Sequence, residues 1–179
     1  MDAATREAGA ILIVCYSRTG TTRRAAGMLG ELCGATLVEV RGTRSYHGPL
    51  GLLRAVRYAV TGRAPPVAAP AHDPAAFALT VLAAPVWAGT VASPMRGYVE
   101  RRAARLGRVA FLCTHHGGGA AGAFRALEAA CGHAPVATLS LTARDLRGEP
   151  LPEALRRFAH TLTARAGGSI SPASWPKPA

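Results

Sequence analysis

Two kinds of apolar pattern alternate along this chain: continuous apolar runs, and segments in which apolar residues recur at helical spacing. Apolar runs rich in β-formers are typical of strands buried in a parallel sheet, and they occupy residues 10–16, 36–41, 77–84, 108–114 and 136–141. Between these runs, apolar residues recur at helical spacing over residues 21–34, 49–61, 94–106, 120–131 and 151–165. The strict alternation of strands and helices predicts an α/β fold, with a parallel sheet covered by helices on both faces.

Local signals at the ends of these segments refine the prediction. Gly34 follows the first helical segment and predicts a left-handed C-cap, whereas Ser93 and Pro94 predict an N-cap and a first helical residue. Residues 62–74 are rich in Pro and Ala and predict a loop. Because crossovers between parallel strands are right-handed, five strands fit a single doubly wound sheet in the order 2-1-3-4-5.

One domain is expected over residues 10–166. Residues 1–9 are expected to form an N-terminal extension, and residues 167–179 a tail without order, from which Trp175 could dock on a partner or a second subunit of a homo-oligomer. The first residues carry charges and no long apolar stretch, so no signal peptide is expected. No apolar run is long enough for a membrane span, and we expect a cytoplasmic protein.

The charge balance is strongly basic. The chain holds 21 Lys and Arg against 10 Asp and Glu, a formal net charge of +11. This charge fits a solvated basic surface, or the attraction of a phosphorylated cofactor, a nicotinamide dinucleotide or an acidic partner protein. No basic stripe interleaved with aromatic residues occurs, so nucleic-acid binding is not predicted.

The cysteines carry no recognisable redox or metal motif. None forms a C-x-x-C pair, and we expect reduced, mostly buried thiols at Cys15, Cys33, Cys113 and Cys131. No metal site is predicted, because no second pair of ligands accompanies Cys113 and His115.

The loop after the first predicted strand is rich in hydroxyl groups and consists of Ser17, Arg18, Thr19, Gly20, Thr21 and Thr22. Ligands of doubly wound sheets bind at the carboxyl ends of the strands, and a helix N-terminus offers free N–H groups and a positive partial charge. The loop lacks the Gly-Lys-Ser/Thr ending of ATP-binding loops and the G-x-G-x-x-G of dinucleotide-binding loops. It therefore predicts a phosphate held by hydroxyls and amides without a metal, or else an ordinary helix cap with additional threonines.

Two further loops follow the third and fourth predicted strands. One consists of Pro85, Val86, Trp87, Ala88, Gly89 and Thr90, and the other of Thr114, His115, His116, Gly117, Gly118 and Gly119. The Trp87 ring could stack on a planar ligand or fill a gap over the core. The three glycines allow the backbone to approach a ligand closely, or simply form a turn.

The three loops together resemble the flavin-binding loops of the flavodoxin-like family, which includes flavodoxins and related FMN-dependent NAD(P)H:quinone reductases. The resemblance spans about residues 11–131. It implies that residues 17–22 hold the phosphate of flavin mononucleotide (FMN). It also implies that Trp87, Gly89 and Thr90 in the second loop flank the isoalloxazine ring, with residues 115–119 of the third loop on its pyrimidine side.

Two features depart from the electron-carrying members of that family. Those proteins are usually acidic, and they often place a Tyr in the third loop, where this chain has His115 and His116. A histidine near the ring could protonate a reduced quinone or stabilise an anionic reduced flavin. Because adjacent side chains of an extended segment point to opposite sides, at most one histidine is expected to face the ligand, and His115 is the candidate catalytic residue. Both could instead face solvent.

These observations predict an FMN-binding redox protein. The favoured function is an enzyme that takes electrons from NAD(P)H and reduces quinone-like or similar small acceptors. One alternative is a flavodoxin-type electron-transfer protein that passes electrons between a reductase and a redox partner protein. Another is a domain of this fold that has lost FMN and serves as a binding module.

Overall fold

The computed structural model describes residues 7–42, 67–68, 72–147 and 152–167. In chain order the described elements are β1 (Glu7–Cys15), α1 (Thr21–Cys33), β2 (Thr36–Glu39), β3 (Arg41–Gly42), β4 (Val67–Ala68), β5 (Phe77–Trp87), β6 (Thr90–Val91), α2 (Ser93–Arg102), β7 (Val109–His115), α3 (Ala120–Cys131), β8 (Thr138–Thr142) and α4 (Glu153–Ala166). Short 3-10 turns at Pro74–Ala76 and Ala103–Arg105 precede β5 and follow α2.

Five parallel strands form the sheet, in the order β2-β1-β5-β7-β8, and the short β6 pairs antiparallel to β5. This arrangement confirms the predicted α/β fold and its strand order 2-1-3-4-5. The order reverses beside β1, so the carboxyl ends of β1, β5 and β7 lie next to one another. The three loops singled out in the sequence follow these three strand ends.

Burial on both faces explains why β1 is apolar without alternation. Side chains of a strand point alternately to opposite faces. Ile11 and Ile13 pack in one buried cluster, which contains residues of α1 and α4, namely Ala25, Ala26, Leu29, Leu155, Phe158, Ala159 and Leu162. Leu12 and Val14 pack in a second cluster, which contains residues of α2 and α3, namely Met95, Tyr98, Val99, Ala123, Leu127 and Cys131. The sheet thus separates two cores, one on each face.

The structure agrees with one predicted helix end and corrects another. Gly34 has a φ of 60° and caps α1, with its N–H bonded to the carbonyl of Gly30, as predicted. Ser93 was expected to be the N-cap of the next helix, but that position belongs to Ala92. The N–H of Ala92 donates to the carbonyl of Pro85 at 3.0 Å, so the extended segment continues to Ala92 and Ser93 is already helical.

Other boundaries differ from the sequence pattern by a few residues. The first strand begins at Glu7 instead of residue 10, because Glu7 still pairs with Phe77. The predicted loop over residues 62–74 contains β4, which pairs antiparallel with β3. The predicted helix at 49–61 lies outside the described residues, as do most of that loop, residues 1–6, and the tail from 168 onwards with Trp175. None of the helices in the described ranges has the length and apolar character that crossing a bilayer requires.

Candidate functional site

A groove opens at the carboxyl edge of the sheet, where four loops meet. Its lining comprises Arg18, Thr19, Thr21 and Thr22 from the first loop, Pro85, Val86 and Trp87 from the second, Thr114, His115 and His116 from the third, and Ala143 after β8. Ten of the eighteen residues predicted for a ligand site therefore line one groove. The predicted residues that do not line it are Ser17, Gly20, Ala88, Gly89, Thr90, Gly117, Gly118 and Gly119.

The first loop turns the chain directly into α1. The N–H of Gly20 donates to the Ser17 hydroxyl at 3.1 Å, and Gly20 has a φ of 91°, which is accessible mainly to glycine. The first intrahelical bond runs from the N–H of Arg24 to the carbonyl of Gly20. The N–H groups of the preceding residues have no acceptor within the helix, and no acidic side chain lies in the first turn. The loop therefore offers donors, and no nearby carboxylate, to an anion.

Arg18 adds a positive charge to this end of the groove. Its side chain is half-buried and lines the groove, and no acidic residue in the described ranges pairs with it. Three arginines elsewhere in the described ranges are paired with acids: Arg23 with Glu39, Arg96 with Glu100, and Arg105 with Asp73. A half-buried guanidinium beside hydroxyls and helix N–H groups suits a phosphate dianion.

Thr22 is placed differently from the other threonines of its loop. Its hydroxyl oxygen lies 2.7 Å from that of Thr114, and both side chains are buried. This hydrogen bond ties the start of α1 to the end of β7, and thus the first loop to the third. The hydroxyl of Thr22 is therefore engaged within the protein, whereas Thr19 is exposed and Thr21 half-buried.

The second loop is a tight β-hairpin. Pro85, Val86 and Trp87 extend β5, and the chain returns as β6 with Trp87 opposite Thr90. The two turn residues, Ala88 and Gly89, have φ values of 47° and 76°. Positive φ at both positions is the pattern of the type I′ turn that closes two-residue hairpins. The hairpin presents Val86 and Trp87 to the groove, while its tip is exposed.

Trp87 packs on the core and also lines the groove. Its ring meets the buried Tyr16 edge-on, with ring centroids 5.6 Å apart and an interplanar angle of 86°. Its side chain is half-buried against the core on the α2 and α3 face, and it also lines the groove. The contact with Tyr16 holds the ring in place as a wall of the groove.

The third loop fixes the orientation of His115. Its Nδ1 accepts the N–H of Gly118 at 3.1 Å, so the proton of the neutral ring is on Nε2. Both His115 and His116 line the groove, although strand alternation predicted that at most one would face it. The reason is that β7 ends at His115, so alternation does not extend to His116. Gly118 and Gly119 then adopt φ values of 139° and 82°, which favour glycine.

Sequence reasoning missed a contribution from the loop after β8. Ala143 lines the groove because β8 lies beside β7, with Thr142 opposite His115. Asp145 shapes this loop by accepting the N–H and the hydroxyl of Thr142 at 2.6 Å and 2.8 Å, and these hydrogen bonds lower the pKa of Asp145. The predicted strand order could have indicated this loop, because it already placed the fifth strand next to the fourth, whose carboxyl end carries the third loop.

The cysteines supply no nucleophile to the groove. Burial raises the pKa of Cys15, Cys113 and Cys131 to about 12 and that of the half-buried Cys33 to about 11. A thiol with such a pKa is almost entirely protonated at neutral pH and reacts slowly. In the described ranges, no cluster of His, Cys, Asp and Glu has the arrangement of a metal site.

The donor set of the groove fits FMN. Hydroxyls, helix N–H groups and Arg18 at one end match a phosphate, while the indole of Trp87 and the imidazoles of His115 and His116 are flat groups suited to a planar ring. No carboxylate is among the described residues that line the groove, and the nearby Asp145 carboxylate interacts electrostatically with His115.

The structure is similar to solved flavoproteins. A flavoprotein from Lactobacillus acidophilus in complex with FMN shares 20% identity, with a TM-score of 0.65, over 73% of this chain and 91% of that one. A candidate flavoprotein from Bacteroides eggerthii has a TM-score of 0.71 at 18% identity, covering 85% of this chain and 96% of that one. A WrbA-like flavodoxin protein from Agrobacterium tumefaciens has a TM-score of 0.55 at 13% identity, covering 88% and 96%.

These similarities establish the flavodoxin-like fold that the loop motifs predicted. No protein-family model matches the sequence, and no curated protein matches it.

Proposed function

We propose that this protein binds FMN in the groove and is an NAD(P)H-dependent reductase of quinone-like or similar small acceptors. The observation that carries the proposal is the convergence of the hydroxyl-rich loop, Trp87 and the two histidines on one groove at the switch point of the sheet. The FMN complex of the Lactobacillus acidophilus flavoprotein, which has the same fold, supports the choice of ligand. When bound, FMN would supply the hydride and electron chemistry.

The first loop would hold the phosphate. The hydroxyls of Thr19 and Thr21 and the N–H groups at the start of α1 would donate to its oxygens, and Arg18 would compensate its charge. Ser17 does not line the groove and would shape the loop by accepting the N–H of Gly20. The hydroxyl of Thr22 is bonded to Thr114, so Thr22 would contribute its N–H.

The second and third loops would hold the ring. Trp87 would pack on one side, and the N–H groups of the turn containing Gly117 and Gly119 would donate to ring carbonyls. His115 would donate a hydrogen bond from Nε2 to the oxygen of a bound acceptor and pass a proton there, because its Nδ1 is occupied by the N–H of Gly118.

Electron transfer without a substrate of its own is the alternative function. A flavodoxin from Streptococcus pneumoniae shares the fold, with a TM-score of 0.52 over 87% of this chain and 99% of that one. The net charge of +11 would then suit an acidic redox partner protein. We further propose that residues 10–166 form one FMN-binding domain and that the protein is cytoplasmic, where four free thiols remain reduced.

An absorption spectrum of the purified protein, recorded before and after anaerobic addition of NADH or NADPH, tests the proposal. Flavin absorption that bleaches rapidly with either nucleotide, together with turnover of a quinone, supports the reductase. Flavin that bleaches only after a separate reductase is added supports the carrier. A protein that neither contains flavin nor takes up added FMN contradicts both functions.

A further inference from the structure

Three glycines bring the hairpin of the second loop into direct contact with helix α3. A Cβ built on Gly122, in the first turn of α3, would overlap the carbonyl oxygen of Gly89 at the hairpin tip. A Cβ on Gly119, the N-cap of α3, would lie 2.9 Å from the Cα of Gly89 and 3.0 Å from the Cγ1 of Val86. Contacts this short essentially never occur, so each position tolerates only glycine without a shift of the hairpin.

The rest of α3 shows that glycine at 122 is not chosen for the helix itself. The helix has the sequence AAGAFRALEAAC, in which alanine occupies most small positions. Glycine is a poorer helix former than alanine, so Gly122 weakens the helix in return for the close contact. Gly27 in α1 provides the contrast, because a Cβ there would meet no atom within 4 Å.

We propose that Gly122 is a positioning residue for the ring of FMN and acts through Gly89. The hairpin carries Val86 and Trp87, which line one side of the groove, and α3 follows directly on the loop of His115 and His116, which line another. The distance between helix and hairpin therefore sets the spacing between the two loops proposed to hold the ring. The inference rests on the proposed function, since it names the ligand of that groove.

The first test replaces Gly122 by Ala and uses Gly27→Ala as the matched control in another helix. Gly122→Ala should push the hairpin away, raise the Kd for FMN about tenfold or more, and change the visible circular dichroism of the bound flavin. Gly27→Ala should leave both unchanged. The proposal is overturned if Gly122→Ala folds and keeps the wild-type affinity and spectrum.

If Gly122→Ala does not fold, a second pair of variants, Gly119→Ala and Gly132→Ala, tests the proposal. Gly119→Ala meets the hairpin, whereas Gly132→Ala introduces the same backbone strain, at a φ of 79° against 82°, with no atom within 4 Å. Weaker FMN binding together with a changed Trp87 emission in Gly119→Ala, measured in a Trp175→Phe background and absent in Gly132→Ala, supports the proposal, and an unchanged Trp87 emission in Gly119→Ala contradicts it.

A readout without FMN separates this inference from the proposed function. In a Trp175→Phe background, the fluorescence of Trp87 reports the position of the hairpin. A changed emission in Gly122→Ala and an unchanged one in Gly27→Ala show that the contact positions the hairpin, even if the wild-type protein fails to bind FMN and the proposed function is wrong. Unchanged emission in both variants rejects the contact as a positioning device.

Discussion

The hydroxyl oxygens of Thr22 and Thr114 lie 2.7 Å apart in the protein interior and join two loops that are distant in sequence. Thr22 is the second residue of α1 and the last of the hydroxyl-rich loop, and Thr114 is the next-to-last residue of β7, just before the two histidines. Two sides of the groove are thus tied together by residues that themselves line it. A substitution at either residue should therefore change the positions of both loops.

Breaking this hydrogen bond should destabilise the fold in a coupled way. Thr22→Val or Thr114→Val leaves one buried hydroxyl unpaired, and each should lower the free energy of unfolding by about 1–3 kcal/mol. The double variant removes both groups and should be less destabilised than the sum of the single variants. Urea denaturation of the four proteins without FMN measures the coupling, and strict additivity would show that the hydroxyls do not interact.

A carboxylate in the first loop should strongly weaken phosphate binding. Thr19 is exposed and lines the groove, so Thr19→Asp would place a negative charge beside the phosphate of FMN. Repulsion of like charges costs several kcal/mol, and we expect the Kd to rise by about a hundredfold or more. Thr36→Asp is the control, because Thr36 is also exposed but lies at the amino end of β2, at the opposite edge of the sheet. Equal flavin retention in the two variants would contradict the assignment of the first loop as the phosphate site.

Arg18 should contribute to FMN affinity through its charge. Arg18→Gln keeps much of the side chain and removes the charge, and we expect about a tenfold higher Kd at low salt. The difference from the wild type should shrink as ionic strength rises, because salt screens a partly exposed charge pair. Arg24→Gln, an exposed residue of α1 outside the groove, should leave the affinity unchanged. Fluorescence titration at two salt concentrations makes the comparison, and identical salt dependence in wild type and Arg18→Gln contradicts it.

Ala88 occupies a backbone conformation that suits another residue better. Its φ of 47° lies in the left-handed region, where a residue with a Cβ is disfavoured and Asn is tolerated best. Ala88→Asn creates the Asn-Gly pair favoured in type I′ turns and should raise the free energy of unfolding by up to about 1 kcal/mol. Ala88→Val should lower it, because a β-branched residue disfavours this conformation. Thermal unfolding of the three proteins ranks them, and a less stable Asn variant would speak against the turn type.

The sheet and the first loop could be predicted because their signals are local. The run from Ile11 to Cys15 is apolar on both faces, which only a strand between two helical layers requires. The hydroxyl-rich loop sits between such a strand and a helix, so its place at the carboxyl edge followed from topology alone. The C-cap at Gly34 was predictable for the same reason, since the left-handed conformation is accessible to glycine within its own turn.

The hairpin and its contacts could not be predicted, because they depend on tertiary pairing. The strand β6 is two residues long, too short to show the alternation of a strand in the sequence, and the turn formed by Ala88 and Gly89 lacks the Asn usual in a type I′ turn. The extended segment that follows the turn continues to Ala92, which takes the N-cap position predicted for Ser93. Likewise, nothing local to Gly122 reveals that Gly89 packs against it.

The close fit between Gly122 and Gly89 restricts how this protein can be redesigned. Libraries that enlarge the hairpin tip to admit a bulkier ligand would strain the helix as well, so the two segments must be varied jointly. Ala143 can be varied independently, because it lines the groove from the β8 side and takes no part in the glycine contact. Diversity introduced at that position would reshape the opening while the hairpin stays anchored.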